Sequence, residues 1–277
     1  MTDPTDKDGP DEAGGAGAAR AEFEQHILSE APRLGKTDKF KFACHPGVPC
    51  FGNCCGDVNI VLTPYDVLRL KNRLGLTSTE FLDQYTILPF TKDQRIPAPL
   101  LKMQDNEKKS CHFLSEKGCG VYEDRPWACR MYPVGYAAPG KDNPDEGAFW
   151  FLLEEEGCEG FEEAREYSIE EWISDQGMAK YDEMGELYRS LAIDDYLAKG
   201  GDLDPKQMQM FFMGTYDLDT FRRFLFGSSF LDRFAVDEAE LERIKEDDEA
   251  LMRFAFRWLE FSLFGKPTME MKPTTES

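Results

Sequence analysis

The chain has 277 residues, enough to bury a sizeable core, and its 41% apolar and 13% aromatic content is that of a globular protein. Its formal charge of −21 repels nucleic-acid phosphates and anionic lipid headgroups, so neither is an expected partner, and no apolar run is long enough to span a bilayer. The N-terminus is acidic and polar where a signal peptide would be basic and then apolar; a cytoplasmic protein is expected, in which eight cysteines stay reduced and read as metal ligands in preference to disulfides.

Residues 1–36 are expected to be a disordered acidic tail, because they carry too few large apolar side chains to offset the entropy of ordering. The run Gly14-Gly15-Ala16-Gly17 within it lacks the preceding strand and the following Gly-Lys-Ser/Thr of a phosphate loop. His26 stands alone there and reads as a solvated or packing imidazole. Cys44, Cys50, Cys54 and Cys55 follow, spaced C-x5-C-x3-C-C. Alternation over 57–62 predicts a short strand. Thr63 as N-cap and Pro64 at the first helical position then open a helix carrying Val67, Leu68, Leu70 and Leu74, which Gly75 ends. Thr77 and Glu80 form a capping box for a second helix with Phe81, Leu82 and Tyr85.

Pro89, Pro97 and Pro99 break the pattern, and 100–103 reads as a strand whose partner is 111–114 across a turn. The second group of cysteines occupies this stretch: Cys111-His112-Phe113-Leu114, then Cys119-Gly120-Val121-Tyr122, then Arg125-Pro126 and Cys129-Arg130-Met131-Tyr132-Pro133. Gly118 and Gly120 flank Cys119 and suit a tight turn whose amides point at sulfur. A Pro/Gly/Asp loop covers 137–147, and 148–153 reads as a strand or short buried segment. From Ser168 onward the pattern is helical: a capping box at Ser168 and Glu171, a start at Asp204-Pro205, and one long amphipathic helix from Asp237 to Phe264, closed by Gly265.

The two cysteine groups, with C-x-F-L, C-x-V-Y, R-P and C-R-x-Y-P in order, make residues 40–135 resemble the YkgJ-type cysteine-cluster family of zinc- or iron-chelating domains. The first two cysteines are spaced more widely than that family's usual C-x-x-C. The resemblance implies metal binding through Cys50, one of Cys54 and Cys55, Cys111, Cys119 and Cys129; Cys44 joins the candidate set, and Cys158, flanked by Gly157 and Gly160, joins it from outside the motif. Neither spacing is that of a ferredoxin or of paired C-x-x-C zinc knuckles, so an iron–sulfur cluster, with 4Fe–4S favoured, and zinc both stay open. In an extended chain Cys54 and Cys55 point apart, so each would serve a different ion or one would merely pack.

His45 and His112 could complete a mixed site but read better as packing or surface imidazoles. Arg125 and Arg130 are expected to pair with Glu123, Asp124 or another carboxylate, or to donate to cluster sulfur. No catalytic triad, zinc-protease helix or dinucleotide fingerprint is present. The expected architecture is α+β and mainly α: an irregular cysteine domain with short strands over 37–160, a helical region over 161–266 and a disordered tail over 267–277. The function expected is a metal-binding protein with redox or protein-modification chemistry, or a non-enzymatic zinc module that presents its helices to a protein partner.

Overall fold

Local capping chemistry sets most of the helices. In the computed structural model, which describes residues 31–89, 95–137 and 147–273, Thr63 and Asp66 form a reciprocal capping box at the start of Pro64–Leu74, and Gly75 ends that helix in the left-handed conformation. Thr77 with Glu80, Ser168 with Glu171 and Asp204 with Gln207 repeat the device.

In chain order the elements are β1 (Lys39–Lys41), α1 (Pro64–Leu74), α2 (Ser78–Tyr85), β2 (Thr86–Ile87), β3 (Leu100–Leu101), β4 (Leu114–Ser115), β5 (Gly118–Cys119), α3 (Trp127–Met131), β6 (Val134–Ala137) and β7 (Phe149–Leu152). After them come β8 (Glu166–Ser168), α4 (Ile169–Asp175), α5 (Ala179–Ala192), α6 (Asp195–Ala198), α7 (Pro205–Thr215), α8 (Leu218–Gly227), α9 (Phe230–Arg233), β9 (Phe234–Ala235), α10 (Glu238–Glu246), α11 (Asp248–Phe264) and β10 (Glu270–Met271). The architecture is α+β and mainly α. Its strands form two-stranded antiparallel ribbons: β1 with β8, β2 with β3, β4 with β5, β6 with β7 and β9 with β10.

Several expectations shift. Residues 57–62 form no regular strand; Asp57 turns to a φ of 50°, and the stretch makes only a bridge from Val61 to Leu100. Residues 100–103 pair chiefly with β2, and meet the 111–114 stretch only where Met103 bridges Cys111. The long helix expected from Asp237 is two, because the Asp247 side chain accepts hydrogen bonds from the amides of Glu249 and Ala250 and starts α11 afresh.

The main apolar cluster joins both parts of the chain. Phe40 and Phe42, Tyr65 and Leu68 of α1, and Met131 and Val134 pack with Phe211, Phe221, Phe254, Trp258 and Leu259 of the C-terminal helices. The sequence division placed at 160/161 thus runs through a continuous core, and β1 and β8 pair across it. A second cluster of Leu62, Val67, Leu70, Phe81, Leu101, Val121 and Tyr216 supports Cys111 and Cys119 from beneath. Burying each such side chain contributes roughly 1.5–3 kcal/mol, which is what holds the irregular cysteine loops in place.

The ends are tied as well. Leu34, within the stretch expected as tail, exchanges backbone hydrogen bonds of 2.8 and 3.1 Å with Trp150, and β10 lies in the stretch expected as the C-terminal tail. The rest of the expected N-terminal tail, including the Gly14–17 run and His26, lies outside the described residues.

Between the helices sits a buried ionic network. Lys71 of α1 is 5% exposed, with its Nζ 3.2 Å from Asp219 Oδ2 and 2.9 Å from Asp248 Oδ2. Arg222 pairs with the same two aspartates, and the Ser78 amide donates to Asp219 at 2.7 Å. This network ties α1 and α2 to α8 and α11.

Candidate metal centre

The first cysteine loop is coiled by consecutive tight turns. Amides of Val48, Phe51, Asn53 and Cys55 donate to the carbonyls of His45, Val48, Cys50 and Gly52 at 2.9–3.2 Å, with Gly52 supplying a φ of 82° that other residues resist. The loop is therefore turned, not extended, at Cys54 and Cys55. The Cys55 thiol is close enough to donate to the Cys54 sulfur, which draws the Cys54 pKa down and pushes that of Cys55 up.

Two other segments dock on this loop. The Ala43 amide donates to the Gly160 carbonyl at 3.0 Å and the Glu159 amide to Cys50 Sγ at 3.3 Å, which carries Cys158 against the Cys44–Cys50 turn. On the other side the Cys111 amide donates to the Cys55 carbonyl at 2.8 Å, and Gly56 bridges Ser110. Cys119 lies on β5, directly paired with Leu114, three residues beyond Cys111. Cys129 is carried by α3, whose first amide, that of Trp127, donates to Asp66 Oδ1 at 2.8 Å.

The eight thiols are all unpaired. Cys44 feels the charges of Cys54, Cys50 and Cys158; burial first, then these neighbours, push its thiol up to about 11. Cys55 feels Cys129 and Cys111, and Cys129 feels Cys111 and Cys119. Cys129 is reachable by solvent yet ringed by protein, and desolvation pushes it up to about 12, with Cys111, Asp66 and Cys119 adding to the rise. By these influences Cys44 goes with Cys50, Cys54 and Cys158, and Cys55 with Cys111 and Cys129, the last of which also feels Cys119, while Cys54 and Cys55 act on each other across the shared peptide. As placed, no three His, Cys, Asp or Glu side chains among the described residues converge as tightly as a single ion requires.

The histidines stand apart. His45 accepts from the Gly47 amide at Nδ1 (3.1 Å) and faces Glu163 with Nε2 (3.5 Å), while His112 sits edge-on to Tyr85. Of the two roles expected for Arg125 and Arg130, pairing with the carboxylates of Glu123 or Asp124 is not seen. Asp124 takes Arg69 instead, at 2.8 Å from Nε, because Arg69 projects from α1 toward it. Arg125 donates to the Tyr122 carbonyl at 2.7 Å and to Gln176 Oε1, and Arg130 to the carbonyls of Gln176 (2.6 Å) and Glu123.

Three residues escaped the sequence reading. Asp66, fully buried, anchors α3; burial lifts its pKa to about 6 against the pull of the Thr63 and Trp127 amides. Gln176 receives Arg125 on its side chain and Arg130 on its carbonyl. The Tyr132 hydroxyl is buried without a partner in hydrogen-bonding geometry, and it lies beside Cys158, within reach of the charge of Cys54. The capping-box position of Asp66 and the place of Tyr132 in C-R-x-Y-P were local signals, whereas Gln176 acts through long-range contacts.

A buried hydroxyl without an acceptor beside free thiols fits a site completed when metal turns those thiols into thiolates. Residues 43–159 match the family model CxxCxxCC, described as "Putative zinc- or iron-chelating domain". Over this stretch the chain is similar to that family. The match reaches past Cys158 and so spans all eight cysteines, where the motif resemblance stopped near residue 135. No curated protein and no solved structure matches the chain. Among the described residues no helix is long and apolar enough to cross a membrane.

Gly160 is a sensitive joint of this region. A Cβ there would lie 2.7 Å from the Phe42 ring and 2.8 Å from the Ala43 carbonyl oxygen, and the backbone oxygen has no room to retreat. Gly160→Ala is expected to cost about 1–3 kcal/mol through overpacking and to loosen the Cys158 segment. Thermal melting of the loaded protein reads the cost; an unchanged melting temperature would show that the loop yields freely.

Proposed function

We propose that Cys44, Cys50, Cys54 and Cys158, and Cys55, Cys111, Cys119 and Cys129, form two adjoining metal-binding sites and that their metal is iron, held as iron–sulfur clusters. The observation that carries this reading is that backbone contacts draw the Cys158 segment onto Cys50 and the Cys111 segment onto Cys55, so that free thiols from distant stretches of chain come to one region, and the proposal divides them into two quartets. Four thiolates complete either a structural zinc site or a cluster. Backbone amides aimed at Cys50 Sγ and Cys111 Sγ, at 3.3 and 3.5 Å, suit the cluster, because such donors tune its potential.

A cluster held there would supply one-electron transfer. The chain's own contribution is to hold the thiols through the Ala43, Cys111 and Trp127 backbone hydrogen bonds and to seat them on the apolar clusters. The second reading, a zinc module without redox chemistry, draws on the exposure of Cys44, Cys54 and Cys129, which zinc tolerates better in air than a cluster does.

Anaerobic purification followed by metal and sulfide analysis decides between them. The expected result is a brown protein with iron and acid-labile sulfide in equal amounts. A colourless protein with stoichiometric zinc and no sulfide would replace the first reading with the second, and a protein retaining neither metal would sink both.

A further inference from the structure

Arg125 is 8% exposed, and among the described residues no carboxylate lies within ion-pairing distance of its guanidinium. Its partners are all neutral: the Tyr122 carbonyl, the Gln176 side-chain oxygen, and the Tyr122 ring, whose centroid lies 3.7 Å away. Its nearest charged neighbour of fixed sign, Arg130, is also a cation and repels it. Arg130 has the buried Asp66 within reach of its own charge, whereas Arg125 has no such acid. A buried cation without an anion is costly, and folded proteins keep one only where something compensates it.

Beyond these contacts, three thiols lie close enough to feel the charge of Arg125. That charge reaches Cys119 and Cys129 of one proposed quartet and Cys44 of the other, placing it at the seam between them. Four thiolates around a zinc ion, or around an oxidised 4Fe–4S core, carry a net dianionic charge. That charge appears only when metal displaces the thiol protons. We infer that Arg125 is the built-in counter-charge of the loaded thiolate centre: a positioning residue that touches no substrate and favours the metal-bound, deprotonated state of both quartets. The inference rests on the metal-binding reading above but not on which metal is bound.

The test uses the full-length, metal-free chain and zinc or cobalt(II) as the probe. Affinity is measured by competition with a chromogenic chelator, and the cobalt–thiolate charge-transfer band reports that the same sulfurs are engaged. Arg125→Met and Arg125→Gln are expected to weaken binding about 10- to 100-fold, the usual effect of removing a group that supports metal ligands, while Arg125→Lys keeps most of the affinity. Gln keeps a donor for the Tyr122 carbonyl, so it carries the test if the Met variant does not fold. Unchanged affinity in the Gln variant would overturn the inference. So would a Lys variant as weak as the Gln one, because that would make the planar fork matter rather than the charge. Wild-type protein that binds neither ion would overturn the metal-binding reading together with this one, whereas failure of the inference alone is seen only in the variants.

Discussion

Replacing Cys111 and Cys129 together with serine is expected to remove about half of the bound metal, because one four-thiolate set loses two of its ligands and the other keeps all four. Serine nearly matches cysteine in size. Burial pushes the Cys129 thiol up to about 12, so in the metal-free protein it is as neutral as a hydroxyl, and the exchange disturbs the metal-free fold little. The loss should therefore appear in the loaded protein, as a fall of several kcal/mol in unfolding free energy, since the ~10–16 kcal/mol with which a structural zinc site binds is folding free energy. The paired variant Cys44→Ser with Cys158→Ser should remove the other half. Metal content by elemental analysis and melting of the loaded chains check both. If either double variant loses all its metal, the thiols form one shared centre; full occupancy in both would remove the cysteines from the ligand set altogether.

The helices were legible because caps are local. Thr63-Pro64, Thr77 with Glu80, Ser168 with Glu171 and Asp204-Pro205 each satisfy orphan amides with side chains three residues away or closer, and each starts a helix where expected. The break at Asp247 was missed because the apolar period runs on through it; the acid side chain capping α11 was the only local mark. The strands were mostly illegible. Ribbons of two or three residues have too short a period to register, and β1 pairs with a strand more than a hundred residues away.

The candidate site divides in the same way. Its cysteines stand out by type and by order, so the set of possible ligands was visible from the chain alone. How they sort was not, because the proposed quartets depend on the Cys111 amide reaching Cys55 and the Glu159 amide reaching Cys50, contacts set by the folded core. Carboxylate pairing of the arginines fails as a local prediction for the same reason. Glu123 and Asp124 are neighbours of Arg125 in sequence, yet α1 delivers Arg69 to Asp124 and leaves Arg125 with a charge that reaches Cys119 and Cys129.

Lys71→Met is expected to destabilise the protein by about 3–5 kcal/mol at neutral pH, since removing one member of a buried ion pair leaves the other charge uncompensated. Lys71, on α1, is 5% exposed and faces Asp219 and Asp248, with Arg222 as their other cation. Burial alone would raise both aspartates. For Asp219 the Ser78 amide and Lys71 outweigh burial, and for Asp248 Arg222 and Lys71 do, so both carboxyls lie below their usual 3.8. A carboxylate held below its unfolded value stabilises the fold above that value, and the contribution is lost as pH falls through the lower, folded pKa. In Lys71→Met the burial that remains lifts the two carboxyls, which then take up protons at higher pH and shed their uncompensated charge. The stability gap between wild type and variant should accordingly be widest near pH 7 and narrow as pH falls toward 4. Urea unfolding followed by the fluorescence of the buried Trp172 and Trp258, at both pH values, measures that gap. A gap of constant size would place the cost in lost packing of the lysine stem, and the ionic tie of α1 and α2 to α8 and α11 would then contribute nothing to stability.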